Sequence, residues 1–330
     1  MLARIGLMVA ALVAVQAAGA VEPERVVRYA KRYMQALPEQ MPGAEADNPA
    51  RIELGRTLFF DKRLSINDTQ ACNDCHFLEQ GKKAGVDNRP QSPGAKGQLG
   101  ERNAPTVLNA GWQFAQFWDG RAEDLVEQAK GPILSEVEMA MPDGEAVAKK
   151  VRGIDEYQKA FAEAFPEAED GPITFDNIAR AIAAFERTLK TESRFDDFMR
   201  GDMAALSEQE VRGLDAFIEV NCVSCHDGPL LGGAIYETLG IYEDYPNQED
   251  QGRYEVTGNE DDKMKFKVAQ LRNIALTEPY YHDGRVWELG QVVREMASMQ
   301  LNAKIDDQQV ADIVAFLKAL TGKELEGQLD

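Results

Sequence analysis

Apolar residues recur three or four positions apart in several stretches of this 330-residue chain. Such spacing is typical of helices that bury one face. It predicts helices over 24–37, 51–60, 208–220 and 286–296, and amphipathic helices over 175–189 and 307–320. No strand pattern longer than a few residues appears, so the pattern favours an all-α fold.

The predicted helices occur in two similar series. Each series has a helix that leads into a C-x-x-C-H motif, then Arg-Asn and Asp-Gly-Arg segments, and finally an amphipathic helix. An internal repeat is the simplest explanation. We therefore expect two related domains with long loops, over 21–195 and 196–330. The helix over 24–37 is a candidate to pack on the second domain. Residues 1–20 differ in composition from the rest of the chain and are counted in neither domain.

The two C-x-x-C-H motifs carry the strongest chemical signal. In such a motif two thiols add to the vinyl groups of a haem, and the adjacent histidine becomes a ligand of the iron. A single C-x-x-C also suits a redox disulfide or half of a zinc site. Here the motifs use all the cysteines and two of the three histidines: Cys72, Cys75, His76, Cys222, Cys225 and His226. We therefore expect two covalently bound haem c groups, with His76 and His226 as iron ligands.

The net charge limits the classes of molecule that the protein is expected to bind. The formal net charge is −20, which argues against nucleic acid, because nucleic-acid binding needs a basic face. Acidity suits either solubility alone or attraction of a basic partner protein.

Residues 1–20 have the form of a secretory signal peptide. They contain Arg4, an apolar stretch from Ile5 to Val15, and the small residues 18–20. We expect cleavage after Ala20, export to the periplasm and no membrane span in the mature chain. An uncleaved anchor is the alternative, although the apolar stretch is short for a span.

The ligand on the far side of each iron decides whether a haem moves electrons or binds a small oxidant. The spacing supplies several candidates outside the motifs: Lys96, Met139, Met141, Met264, His282, Met296 and Met299. Met296 shares a helical face with apolar neighbours, so it equally suits a core methionine that fills a gap.

Segments in collinear order from about residue 48 to 322 carry a family resemblance. Besides the first C-x-x-C-H motif they are RNAPTVLN (102–109), QFWDGR (116–121), EQAKGP (127–132), VEM (137–139), FKV (266–268), LRN (271–273) and YHDG (281–284). They closely resemble the bacterial di-haem cytochrome c peroxidases. The resemblance implies reduction of hydrogen peroxide to water, with electrons from a small cytochrome c or a cupredoxin. Such proteins often form homodimers.

The resemblance also assigns roles to individual residues. Met296 corresponds to the distal methionine of the C-terminal haem, which accepts electrons from the donor. Gln128 and Glu138 correspond to the distal pair of the peroxide-binding N-terminal haem. There a carboxylate can carry a proton, and an amide can orient peroxide without titrating. Without the resemblance, Glu138 reads as a solvated acid in a loop.

Three further positions match residues that lie between the two haems in the family. Trp118 corresponds to a tryptophan that relays electrons, although it also suits a core aromatic. Asn103 and the backbone carbonyls of Thr277 and Pro279 correspond to a calcium site, for which oxygen ligands are suitable. His282 is then expected to contact a haem propionate rather than an iron.

The sequence departs from the family pattern at Ala95. Most members carry a histidine there that caps the N-terminal iron until the other haem is reduced. Alanine cannot ligate, and the neighbouring Lys96 would have to lose a proton to do so. We therefore expect water or no sixth ligand on this iron, and peroxide binding without reductive activation.

Two other functions stay open. Related di-haem enzymes that mature a tryptophan-derived quinone also lack this histidine, but they carry a tyrosine where this chain has Met296. Methionine thus favours peroxidase chemistry over oxidation of a protein or organic substrate. A non-enzymatic electron-transfer cytochrome would have a sixth protein ligand on both irons.

Overall fold

The computed structural model describes residues 21–78, 84–168 and 171–329. The expected signal peptide and its cleavage site lie outside these residues. The described α-helices are α1 (Pro23–Ala30), α2 (Pro49–Phe59), α3 (Leu125–Leu134), α4 (Gly144–Arg152), α5 (Asp155–Ala164), α6 (Phe175–Glu186), α7 (Arg194–Arg200), α8 (Glu208–Glu219), α9 (Tyr254–Thr257), α10 (Leu289–Leu301) and α11 (Asp307–Lys318). Strands β1 (Tyr236–Thr238) and β2 (Lys265–Lys267) form one antiparallel pair, in which Glu237 faces Phe266. The expectation of a helical fold is therefore confirmed. None of the described helices has the length and apolar character needed to cross a bilayer.

Each half of the chain is built around one pair of crossing helices, α2 with α6 and α8 with α11. At both crossings a glycine faces the backbone of the partner helix. A Cβ atom on Gly55 would lie 1.8 Å from the carbonyl oxygen of Ala181, and one on Gly213 would lie 1.8 Å from that of Asp312. Only glycine allows so close an approach. The same contact in both halves is what an internal repeat predicts.

The four crossing helices begin at side chains that cap them. Asn48 accepts a hydrogen bond from the Arg51 amide at 2.8 Å before α2, and Thr174 accepts one from Asn177 before α6. Ser207 and Asp306 cap α8 and α11 in the same way. Such caps satisfy amide groups that have no partner within the helix. They fix where each helix starts, and hence which face it buries.

Two hydrophobic cores surround the two crossings. The first includes Leu54, Leu58 and Phe59 from α2 with Ile178 and Ile182 from α6. The second includes Leu214 and Phe217 from α8, Ile313, Phe316 and Leu317 from α11, and Val26, Val27 and Ala30 from α1. The α1 helix therefore packs with the second half of the chain, although it precedes the first half in sequence.

The α1 helix is shorter than predicted, because it ends at Ala30 rather than Leu37. Beyond it the backbone bonds to distant segments. The Tyr33 carbonyl accepts a hydrogen bond from the Gly228 amide at 2.8 Å. The Leu37 amide donates to Asp196 at 2.8 Å. These tertiary bonds replace the next helical turns, and apolar spacing alone does not reveal them.

A buried ion pair joins Arg272 to Asp196 on α7, and neither side chain is exposed. Two guanidinium nitrogens lie 2.7 and 3.0 Å from the two carboxylate oxygens. The carboxylate also accepts hydrogen bonds from the backbone amide and hydroxyl of Ser193. The arginine of the second repeat is thereby attached to the helix that follows the first repeat. Removing one partner would leave an uncompensated buried charge.

We expect Arg272→Met to lower the free energy of unfolding by about 3–5 kcal/mol, because Asp196 would then be buried without its cation. Urea unfolding of the haem-loaded protein measures the change. The matched control is Arg294→Met, whose partner Asp307 is almost fully exposed. Exposed pairs contribute about 1 kcal/mol or less. Equal losses in the two variants would contradict the assignment.

Candidate functional site

Both C-x-x-C-H motifs fold into the same turn. A short 3-10 helix covers Cys72–Asp74 in the first and Cys222–Ser224 in the second. In each, the histidine amide donates to the carbonyl of the first cysteine, at 2.9 Å for His76 and 3.0 Å for His226. One turn therefore brings two thiols and an imidazole together. The motifs border separate cavities, so their cysteines are not pooled into one zinc site.

The two histidines are held in the orientation that a metal ligand needs. The Nδ1 atom of His226 lies 3.0 Å from the Leu231 carbonyl oxygen, and that of His76 lies 3.4 Å from the Gly85 carbonyl oxygen. A hydrogen bond at Nδ1 leaves Nε2 for a metal. Burial lowers the pKa of both imidazoles. Each is therefore neutral at neutral pH, which is the form that ligates iron.

The C-terminal cavity is bordered by Cys222, Cys225, His226 and Met296. Leu289 and Val293, which precede Met296 by two turns and by one turn of α10 respectively, border it as well. The helix begins at Leu289, so Val286 lies before it rather than on its face. Met264 and Met299, the other methionine candidates, belong to a buried cluster beside the cavity. The donor set of two cysteines, a histidine and a methionine fits a haem c with a thioether on its far side.

The N-terminal cavity is bordered by Cys75, His76, Gln128 and Glu138. Gln128 lies on α3, and the turn after that helix brings Glu138 to the same space. Burial raises the pKa of the Glu138 carboxyl, against the opposing influence of Ser135 and Arg121. Cys72 packs beside this space, against the first core. The sequence candidates Gln128 and Glu138 are thus brought together with His76, and these groups fit a second haem c.

The loop that contains Ala95 lies against Glu138. The Ala95 amide donates to the Glu138 carbonyl at 2.7 Å, and the loop is closed by a bond from the Gly94 amide to the Gln98 carbonyl at 2.8 Å. The neighbouring Lys96 is exposed to solvent. Met139 and Met141 are buried in the first hydrophobic core. In this arrangement the loop places its backbone, rather than a ligating side chain, beside the cavity.

Trp118 borders both cavities. Its indole nitrogen donates to the Asn103 carbonyl at 2.9 Å. Asn103 borders both cavities too, whereas Thr277 and Pro279 border the C-terminal one. The Asn103 side-chain nitrogen donates to the Arg89 carbonyl at 2.8 Å, which leaves its oxygen for a cation. The four residues that were expected between the two haems therefore lie in the same part of the structure.

His282 is buried at the C-terminal cavity, and its Nε2 atom has no hydrogen-bond partner among the described residues. The closest carboxylate oxygen, on Asp250, is 3.9 Å away. A buried polar atom without a partner is costly. A haem propionate in this cavity would supply the missing acceptor, which fits the presence of the cofactor.

Glu186 and Lys267 are buried ionisable groups at the cavities whose positions were not predicted from the sequence. Glu186 borders the N-terminal cavity, and one of its oxygens has no partner among the described residues. Burial raises its pKa to about 8. Lys267 borders the C-terminal cavity, donates to Gln113, and has its pKa lowered to about 8 by burial. A sequence signal existed for Glu186, which lies four and eight residues after the core positions Ile182 and Ile178.

Glu186 predicts a pH dependence of stability. Below pH 4.5 its carboxyl is protonated in both folded and unfolded chains, whereas between 4.5 and about 8 only the unfolded chain ionises. The free energy of unfolding therefore falls as pH rises through this range and levels off above it. The difference between 4.5 and about 8 corresponds to roughly 4–5 kcal/mol.

We expect Glu186→Gln to remove this loss, so the variant gains stability over the wild type as pH rises from 5 towards 8. Urea unfolding across that range measures the difference. Parallel pH profiles for the two proteins would show that Glu186 is not a proton-holding group in the folded chain.

Comparisons with known proteins agree with the two-part architecture. The family described as di-haem cytochrome c peroxidase matches residues 49–204, and the family described as cytochrome c matches 210–321. The chain is 46% identical over 285 residues to the cytochrome c551 peroxidase of Nitrosomonas europaea, covering 86% of this chain and 83% of that protein. It is 44% identical over 303 residues to the protein of the same name from Pseudomonas aeruginosa, covering 89% and 86%.

More distant relatives include the methylamine utilization protein MauG of Methylophilus methylotrophus. It is 32% identical, with 88% of this chain and 89% of that protein covered. Among solved structures, a MauG-like protein associated with microbial copper homeostasis superposes with a TM-score of 0.78 at 31% identity. That match covers 88% of this chain and 94% of the other.

Proposed function

Because the chain belongs to the di-haem cytochrome c peroxidase family, we propose that it reduces hydrogen peroxide to water with electrons from a small cytochrome c or a cupredoxin. The family implies two haem c groups, and the two cysteine-histidine turns supply their attachment points. The observation that carries the proposal is the N-terminal cavity, where Gln128 and Glu138 meet His76.

In this proposal the chain's own groups position peroxide and move its proton. When bound, the haem of the N-terminal cavity supplies the iron that accepts peroxide. Glu138 would take a proton from the bound peroxide and return it to the leaving oxygen, which becomes water. Its raised pKa suits this task, because the carboxyl can hold the proton between the two transfers. Gln128 orients peroxide without titrating.

We propose that peroxide enters without prior reduction of the protein. Two features support this. Ala95 carries no group that can ligate, and Lys96 is exposed to solvent rather than bordering the cavity. When bound, the N-terminal haem would then receive no ligating side chain from this loop, and water or peroxide could reach its iron.

In this proposal His226 and Met296 would hold the C-terminal haem, which would accept the electrons of the donor when bound. A thioether opposite an imidazole raises the reduction potential of a haem. Trp118, which borders both cavities, supplies an aromatic link between them. The net charge of −20 favours encounter with a basic donor at low ionic strength.

We also propose that calcium binds the Asn103 side-chain oxygen and the carbonyls of Thr277 and Pro279. These groups border one cavity, and oxygen ligands with several waters suit this ion. Metal analysis of purified protein should give one calcium per chain, and none retained after dialysis would contradict the site. The proposed location is the periplasm, and a homodimer stays a prediction.

Stopped-flow mixing tests the function directly. Fully oxidised protein, mixed with peroxide and reduced cytochrome c or cupredoxin, should oxidise the donor without a lag, because the N-terminal iron needs no uncapping. A requirement for prior half-reduction would contradict the open site. Peroxide consumption without donor oxidation would instead favour the alternative function, oxidation of a protein or organic substrate. No reaction with peroxide would leave only electron transfer.

We expect Glu138→Gln to slow the reaction with peroxide by about 10²-fold or more, because glutamine keeps the shape of the side chain but cannot carry the proton. The matched control is Glu136→Gln, an exposed position in the same turn, which should react at the wild-type rate. Unchanged kinetics in the Glu138 variant would remove this residue from the mechanism.

A further inference from the structure

A cluster of aromatic rings extends from the junction of the two cavities into the second half of the protein. The rings of Trp118 and His282 have centroids 6.5 Å apart, and those of His282 and Tyr245 are 5.2 Å apart. Phe266 stacks on His282 with a centroid distance of 4.3 Å. Trp118 packs against the same hydrophobic cluster that contains Tyr245. An electron can therefore pass between Tyr245 and Trp118 through rings in contact.

Tyr245 differs from an ordinary core tyrosine in its partner. Its side chain is fully buried, and its hydroxyl donates to the Asp283 carboxylate at 2.7 Å. The carboxylate is fixed in turn by the Asn247 side chain at 3.1 Å and the Arg285 amide at 3.3 Å. The guanidinium of Arg285 donates to the phenol oxygen at 3.0 Å. A proton acceptor is thus already in place along the phenol O–H bond.

This geometry suits oxidation of the phenol more than deprotonation alone. Burial raises the pKa of Tyr245, so the group keeps its proton at neutral pH. A phenol that loses an electron becomes a strong acid, and a carboxylate within hydrogen-bond distance can take the proton without movement of either group. Tyr245 can therefore lose an electron towards His282 and a proton to Asp283 at the same time.

We propose that Tyr245 is a redox-active tyrosine that supplies an electron through His282 and Trp118 when the protein donor fails to deliver its second electron. The inference rests on the proposed peroxidase function, because hydrogen peroxide is the oxidant. The residue protects the site by giving up an electron along a defined route, which spares the side chains that hold peroxide and the cofactors.

One peroxide takes up two electrons and two protons as its O–O bond breaks, and two waters form. In a protein that has already received one electron from its donor, that electron is the first of the two that peroxide takes up. Tyr245 supplies the second and becomes a neutral tyrosyl radical, while its phenolic proton moves to Asp283. The two protons of the waters come from solvent through Glu138.

Freeze-quench electron paramagnetic resonance tests the proposal on the haem-loaded protein. A sample reduced by one electron is mixed with one equivalent of peroxide in the absence of donor protein. Protein labelled with ring-deuterated tyrosine should give a narrower radical signal than unlabelled protein, because ring protons contribute to the line width of a tyrosyl radical. This comparison needs no substitution and identifies the radical as a tyrosyl.

Substitution then locates the radical. Tyr245→Phe should abolish the label-sensitive signal, whereas Tyr157→Phe should retain it. Tyr157 is the matched control, because it is also a buried tyrosine whose hydroxyl donates to a carboxylate, that of Asp61, but it lies in the first core. Asp283→Asn, which keeps a hydrogen-bond acceptor but removes the proton acceptor, should also lose the signal.

Peroxide consumption measured in the same samples separates two failures. Consumption without a label-sensitive signal, or an equal signal in Tyr245→Phe, overturns the inference and leaves the proposed function intact. Absence of consumption in the wild type overturns the proposed function and this inference with it.

Discussion

The close crossing of two helices in each half is the constraint on which the rest of the structure depends. Gly55 and Gly213 let the backbones approach until a Cβ atom would touch the partner carbonyl. The first helix of each pair leads into a cysteine-histidine turn, so the crossing sets where that turn lies against the core. Each turn holds an imidazole whose Nδ1 atom lies within hydrogen-bond distance of a backbone carbonyl oxygen. Two equal scaffolds thus present two equal sets of attachment groups.

The proposed function rests on the side chains that differ between the two cavities. In the second half α10 brings Met296 to the cavity, and a thioether there suits a centre that holds and passes electrons. In the first half the turn after α3 brings Glu138, and the loop of Ala95 bonds to its carbonyl. A titratable carboxyl beside a space without a ligating side chain suits a centre that binds peroxide. In the proposed function the same fold would serve two tasks, because a methionine borders the cavity of the second half while the Ala95 loop brings no ligating side chain to that of the first.

Much of this organisation could be predicted from the sequence, because apolar periodicity and the cysteine-histidine motifs are local signals. The helix pairs, their repeat and the side chains of the turns follow from such signals. The end of α1 does not, since it depends on bonds from Gly228 and to Asp196 that join residues far apart in sequence. The places of Lys267 and Tyr245 depend equally on tertiary packing. Glu186 was missed for another reason, because a single acid on an apolar helix face is easily taken for an exposed one.

The proposed function depends most on an N-terminal haem that is open to peroxide. The electron paramagnetic resonance spectrum of the fully oxidised, haem-loaded protein tests it most directly, because a sixth strong-field ligand converts a high-spin ferric haem to low spin. We expect one high-spin signal from the His76 haem and one low-spin signal from the haem of His226 and Met296. Two low-spin signals with no high-spin component would contradict it.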